Sequence, residues 1–128
     1  MDAPGPTLTP IGTVENGLPL GTPKEQLLAA ESLIILEPAL VEGLQALDEQ
    51  ARVLVVFHFH LSEGYDLLQH PRGDSSREKR GVFALRSPRR PNPIGVTEAE
   101  LLEIRGNVLR VRGLDAVDGT PVLDLKPA

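Results

Sequence analysis

The stretch Arg80 to Gly95, RGVFALRSPRRPNPIG, limits what this chain can fold into more than any other. Pro88, Pro91 and Pro93 each fix φ and each lack an N–H. The loop these prolines stiffen, into which a strand-like run feeds, therefore cannot be helix or central strand, and its carbonyls and remaining amides must find partners elsewhere in the molecule. It also carries Arg86, Arg89 and Arg90. A loop stiffened in this way loses little entropy when a ligand arrives, and its charge suits something anionic or nucleotide-like.

A chain of 128 residues, 41% hydrophobic and 24% charged, supports one compact domain over 1–128, with residues 1–6 expected as a loose tail. It holds no cysteine, which removes disulfides, thiolate metal sites and a thiol nucleophile. The opening MDAPGPTLTP has neither the basic start nor the apolar stretch of a signal peptide, and no apolar run approaches bilayer length. The expectation is a cytoplasmic protein that does not use a membrane.

The net charge of −5 is unevenly spread. Between Arg72 and Arg90 seven basic residues (Arg72, Arg77, Lys79, Arg80, Arg86, Arg89, Arg90) face only Asp74 and Glu78, a local excess of five positive charges. The rest of the chain therefore carries ten net negative ones. An acidic body with one basic patch focuses its field on a small or locally contacted phosphate-bearing partner and repels a long polyanion. A solvated arginine-rich loop is the alternative reading.

The hydrophobic pattern is mostly of strand type. Thr9–Val14, Leu33–Leu36, Val53–Phe59, Gly81–Leu85, Ile94–Ile104, a strand anchored by Val108, Val111 and Leu114, and Val122–Leu125 all read as strands. Val53–Phe59 is apolar almost throughout, which predicts a central strand buried on both sides. Ile94–Ile104 contains TEAELLE, a helical composition, but its place between a loop and a strand favours β. Pro38 followed by Leu40, Leu44 and Leu47 predicts a helix, and Leu61–Gln69 has room for a short one. Glu15–Glu25 and His70–Lys79 read as loops, the latter exposed, and Asp118-Gly119 marks a turn. The fold class is mainly β: a small β-barrel, or a highly curved sheet, of about seven strands with one or two short helices.

Two blocks, GVFALRSPRRPNPIG at Gly81–Gly95 and GLDAVDGTPVLDLKP at Gly113–Pro127, together with Phe59-His60 at the end of the central strand, resemble the tRNA N6-threonylcarbamoyladenosine methyltransferases of the TrmO, or TsaA-like, type. The similarity runs from Ile11 to the end of the chain. It implies a methyltransferase that uses S-adenosyl-L-methionine, built on a β-barrel and working on tRNA as a homodimer with the cofactor near the subunit interface. Ala51-Arg52 stands where the family commonly has Ser-His, and many members carry a further C-terminal domain.

Methyl transfer from a sulfonium is an in-line displacement that needs alignment more than catalytic groups. The cofactor presents an adenine, a sulfonium and an amino-acid carboxylate, which suit backbone groups, oxygen atoms and arginine respectively. With the resemblance, this makes Phe83, Ala84, Arg86, Ser87, Arg90, Asn92, Pro93, Ile94, Gly95, Leu114 and Asp115 the expected cofactor contacts, and Arg72, Arg77, Arg80, Arg89 and Lys126 the expected tRNA contacts. Asp118 either holds the acceptor nitrogen as catalytic residue or caps its own turn. Asn92 either fastens the loop or meets a ligand. Arg86 has an alternative as ion-pair partner of Asp115 or Asp124. His58 and His60, two apart on a strand, would share a face, but no third ligand is evident except His70, so no metal is expected. A cofactor-binding sensor without transfer, methylation of another adenine-containing substrate, and a proline-rich docking module are the competing functions.

Overall fold

The computed structural model describes residues 5–128. The first four residues of the expected loose tail lie outside the described residues, and the next two are exposed coil. In chain order the elements are β1 (Gly12–Glu15), α1 (Lys24–Ala29), β2 (Glu31–Leu36), β3 (Arg52–His58), β4 (Leu68–Gln69), β5 (Arg80–Gly81), β6 (Ile94–Arg105), β7 (Val108–Arg112) and β8 (Pro121–Pro127). Six strands close an antiparallel barrel in the order β1-β2-β7-β6-β3-β8, with β8 returning to β1, while β4 and β5 form a separate ribbon. Closure leaves the barrel without a free edge. The expected small β-barrel is the fold observed.

The barrel interior is fitted by size across β3 and β6. Val53 faces Ala99, Val55 faces Thr97 and Phe57 faces Gly95, so the largest of the three residues on β3 meets the smallest on β6. At Gly95 an added Cβ would fall 2.6 Å from the ring of Phe59 and 2.7 Å from that of Phe57. Gly12 has a backbone reason: a Cβ there would meet the Ile35 carbonyl oxygen at 2.6 Å, where β1 presses on β2. Val14, Ile34, Leu109, Val111, Leu114 and Val122 complete the core.

The strict alternation of β6 overrides the helical composition of TEAELLE. Thr97 and Ala99 are buried, whereas Glu98 and Glu100 face out and pair with Arg52 at 2.6 Å and Arg112 at 3.3 Å. Glu31 on β2 holds Arg110 and Arg112 at 3.0 and 3.1 Å. These exposed pairs lace the acidic outer wall and add little stability each.

Five local expectations are corrected. β3 is buried on one face only: Val53, Val55 and Phe57 are enclosed, Leu54 and Val56 half-buried, because a single closed sheet has one interior. Pro38–Leu44 and Leu47–Glu49 are separate 3₁₀ turns rather than a helix, broken where Ala46 takes φ 72°, and among Leu40, Leu44 and Leu47 only Leu44 is fully buried. Leu61–Gln69 is irregular up to the short β4, with Gly64 at φ 65°. Gly81–Leu85 is not a strand; after β5 the chain tightens into a 3₁₀ turn, Val82–Ala84, closed by the Leu85 N–H on the Val82 carbonyl at 3.1 Å. Leu27 anchors α1, which begins at Lys24 within the segment read as loop.

Candidate functional site

β3 ends in a γ-turn. The His60 N–H donates to the His58 carbonyl at 2.8 Å around Phe59, and the Phe59 N–H donates to the Pro93 carbonyl at 2.7 Å. Strand alternation stops there, so His58 stays in the β3–β6 ladder opposite Ile94, while His60 lines a cleft. The expectation that the two share a face is thereby corrected. Among the described residues no cluster of three or more His, Cys, Asp or Glu side chains could hold a metal ion.

That cleft, of ≈ 1310 Å³, lies between the Phe59–Pro93 excursion, α1 with the loop before it, and the Asp115–Thr120 segment. The proline loop keeps its shape through side-chain donors. Arg90 Nη1 donates to the carbonyls of Leu85 and Ser87 at 2.9 and 3.2 Å. Arg89 Nη1 donates to the Glu63 carbonyl at 2.7 Å while Nη2 pairs with Asp66 at 3.2 Å. Gln69 Nε2 reaches the carbonyls of Asp66 and Arg89 at 2.7 and 2.6 Å, and the Ser62 hydroxyl donates to the Pro88 carbonyl at 3.0 Å. Prolines remove backbone donors, and arginine, glutamine and serine supply the missing ones.

Seven of the expected site residues meet in the cleft: Ala84, Arg86, Ser87 and Asp115 of the cofactor set, and Arg72, Arg77 and Arg89 of the tRNA set. Arg72, Arg77, Lys79 and Arg86 form no ion pair among the described residues. Asp115 pairs with Lys24 at 3.6 Å and Asp124 with Lys126 at 3.2 Å, so neither is the partner of Arg86. Arg90 sits beneath the loop as a strut, and Leu114 and Gly95 are buried in the barrel. Pro93 contributes its carbonyl to Phe59, Asn92 its carbonyl to Ile94 at 2.7 Å, and the Ile94 side chain faces outward on β6. Phe83 is 78% exposed and Arg80 lies on β5, both outside the cleft lining. Lys126 lines a different cavity, of ≈ 590 Å³, under the 3₁₀ turns that follow β2.

Asp118 does not line the cleft. Its Oδ1 accepts the backbone N–H groups of Gly17 and Asn16 at 3.0 and 2.8 Å, and these bonds hold its carboxyl below the ordinary value of 3.8, the Gly17 bond contributing most. A carboxylate so held is a weak proton acceptor. It fastens the turn before β8 to the loop after β1, where the Asn16 amide in turn donates to Ser32 Oγ and the Ala116 carbonyl at 3.0 and 2.9 Å.

The residues that sequence reasoning missed include Lys24 and Glu25 on α1, Asp66, Gln69 and Thr120. Pro23 ahead of Lys24-Glu25 was the available signal for α1, a prolyl start followed by an acidic first turn. For Gln69 and Asp66 no local pattern existed, since their partners lie on another segment.

Residues 17–128 match the tRNA-methyltransferase O N-terminal domain. A Pyrococcus abyssi protein named "Probable S-adenosyl-L-methionine-binding protein" is 40% identical over 124 residues, which cover 92% of this chain and 65% of that protein. The mouse (Mus musculus) tRNA (adenine(37)-N6)-methyltransferase is 37% identical over 131 residues, covering 92% of this chain and 30% of its own length. The crystal structure of TrmO from Pseudomonas aeruginosa superimposes with a TM-score of 0.73 at 30% identity, over 97% of this chain and 56% of that one. The chain thus spans less than two thirds of the length of each of these three.

Proposed function

The chain belongs to the tRNA-methyltransferase O N-terminal domain family, and on that footing we propose that it binds S-adenosyl-L-methionine in the cleft and transfers the methyl group to N6 of an adenine in tRNA. N6-threonylcarbamoyladenosine near the anticodon is the proposed acceptor. One observation carries the reading: in a chain of net charge −5, four cations without ion-pair partners among the described residues line one cleft beside a loop already fixed in shape. Four such cations repel one another until an anionic ligand joins them.

The residues fit the cofactor's three parts. Arg86 suits its carboxylate, the backbone of Ala84 to Ser87 its adenine, and Asp115 with nearby carbonyls its sulfonium. When bound, the cofactor supplies an electrophilic methyl group. Arg90, Pro93, Gly95 and Leu114 act by holding the loop and barrel end in place, while Arg72, Arg77, Arg80 and Arg89 bind tRNA phosphates.

We further propose a homodimer with the site near its interface. Leu67, Leu68 and Phe83, on or next to the β4–β5 ribbon, are 60%, 61% and 78% exposed, apolar side chains that a second copy would cover. Light scattering at micromolar concentration tests it, and a monomer would remove it. Cytoplasmic residence goes with this substrate.

Calorimetric titration with S-adenosyl-L-methionine, beside ATP as an adenine-bearing control, is the first test. Selective binding followed by S-adenosylhomocysteine formation with tRNA is expected. Binding without transfer to any tRNA would assign a sensor instead, and no binding with or without tRNA would overturn the reading. In the tRNA complex, replacing Arg72 and Arg77 together by alanine should lower the salt slope of binding by roughly two.

A further inference from the structure

We propose that His60 is the catalytic base of this cleft, its imidazole taking the proton of the acceptor nitrogen as the methyl group is transferred; this rests on the reaction proposed above. An exocyclic nitrogen of an adenine has its lone pair drawn into the ring, and a carbamoyl substituent draws it further. Such a nitrogen attacks a methyl carbon well only when its proton leaves in the same step, so the site needs a proton acceptor within reach.

The structure narrows the choice. Of the acceptors in the cleft, Asp66 is paired with Arg89 at 3.2 Å and Asp115 with Lys24 at 3.6 Å. His70 is engaged through Nδ1 with the Arg77 carbonyl at 2.7 Å. Glu25 sits on the exposed first turn of α1 at the rim. Asp118 lies outside the lining with both its backbone amide partners in place. His60 is half-buried, and its ring makes no hydrogen bond or ion pair among the described residues.

Its position is built, not incidental. The γ-turn around Phe59 takes His60 out of the strand, and Phe59 is fixed by an edge-on contact with Phe57, ring centres 5.2 Å apart, over the space that Gly95 leaves. His60 Nε2 comes beside Gly119, where an added Cβ would stand 3.9 Å from it. The imidazole thus sits at the wall made by the turn before β8, in the same cleft as Arg86 and Ser87. In the step, the acceptor N–H bond breaks and its proton passes to an imidazole nitrogen. The nitrogen's electron pair forms the N–CH₃ bond, and the S–CH₃ pair stays on sulfur, leaving the neutral thioether.

The test compares wild type with His60→Ala and His60→Gln on an anticodon stem-loop carrying N6-threonylcarbamoyladenosine. The expected result is a fall in kcat of roughly 100-fold or more in both variants. KM for the stem-loop and the calorimetric Kd for S-adenosyl-L-methionine should stay within about twofold, and added imidazole should restore part of the turnover of His60→Ala. A second readout needs no turnover: adding the stem-loop to protein loaded with S-adenosylhomocysteine should move the ring NMR signals of His60, assigned by their loss in His60→Gln, more than those of His70. Unchanged kcat in the variants would overturn the proposal, and so would loss of cofactor binding or absence of imidazole rescue. A wild-type protein that transfers no methyl group would instead remove the underlying function, and this proposal with it.

Discussion

β3 and β6 are joined in the barrel by a continuous ladder and by buried packing in which Gly95 makes room for Phe57, whereas the Phe59–Pro93 excursion, which leaves from the ends of the same two strands, is joined by side-chain donors on backbone carbonyls. The first arrangement draws on apolar burial and needs no ligand. The second is a set of polar bonds at a half-exposed surface, each of small net value because water competes for every partner. One chain therefore contains a rigid frame and a shaped but separable loop system. The cleft lies along the seam between them, where Phe57 and Thr120 of the frame meet Phe59, Arg86, Ser87 and Arg89 of the excursion.

The largest effect should come from the frame. Phe57, 2% exposed, is a large fully enclosed side chain, so Phe57→Ala should cost about 3–5 kcal/mol in denaturant unfolding. Loss of cleft function without a comparable loss of barrel stability would mean the frame does not depend on that ring. Gly95→Ala comes next, at about 1–3 kcal/mol, because the added methyl must displace the rings of both Phe57 and Phe59. Since Phe59 carries the chain into His60, this variant should also weaken cleft binding at temperatures where it is still folded. A Gly95→Ala protein as stable as wild type would show that the rings give way freely.

The same division explains what could be read from the sequence. Strands β2, β3, β7 and β8 follow from short apolar and β-branched runs, which are a property of neighbours along the chain, and β6 was legible from its place between a loop and a strand, even against its helical composition. In the excursion, Gly81–Leu85 looked like strand because GVFAL is apolar. Yet Val82 alone of these is fully buried, and what fixes the segment is its N–H on the Leu67 carbonyl at 2.8 Å, with Arg90 beneath. Bonds between Arg89 and Glu63, or Gln69 and Asp66, leave no period in a sequence. The arginine cluster was legible as charge, but which arginines stay open in the cleft and which serve as struts was not. Arg86 and Arg90 differ in this respect only through the path of the backbone around them.

Arg90→Lys sharpens the comparison at smaller scale. Lysine keeps the charge but replaces the rigid planar guanidinium, whose Nη1 alone donates to the carbonyls of both Leu85 and Ser87, by a flexible ammonium of different reach. Global stability should fall by about 1 kcal/mol or less. Hydrogen exchange at the amides of Leu85 and Arg89 should accelerate while those of β3 keep their protection. Equal acceleration in both would mean that the loop and barrel open as one unit.

The smallest effect concerns one carboxylate in each region. Asp118, at the entry to β8, accepts the amides of Gly17 and Asn16, and its carboxyl is held below the ordinary value of 3.8. Asp74, in the excursion, is lowered too, chiefly by the Ser76 hydroxyl and then its amide, with His70 adding a smaller attraction. For Asp118 the native state holds the proton less tightly than the unfolded chain, whereas at Asp74 such a difference arises only if its turn unfolds with the barrel. The stabilisation is therefore complete above pH 3.8 and is lost as pH falls through the lowered native value. Asp118→Asn should flatten the acid limb of denaturant stability relative to wild type, because its bonds join segments far apart in sequence that separate on unfolding. Asp74→Asn should leave that limb nearly unchanged, since its bonds lie within one short turn that can persist when the barrel is lost. Equal flattening by the two variants would show that the turn at Asp74 is lost together with the barrel, and the distinction between a cooperative frame and a locally held loop would fail at that point.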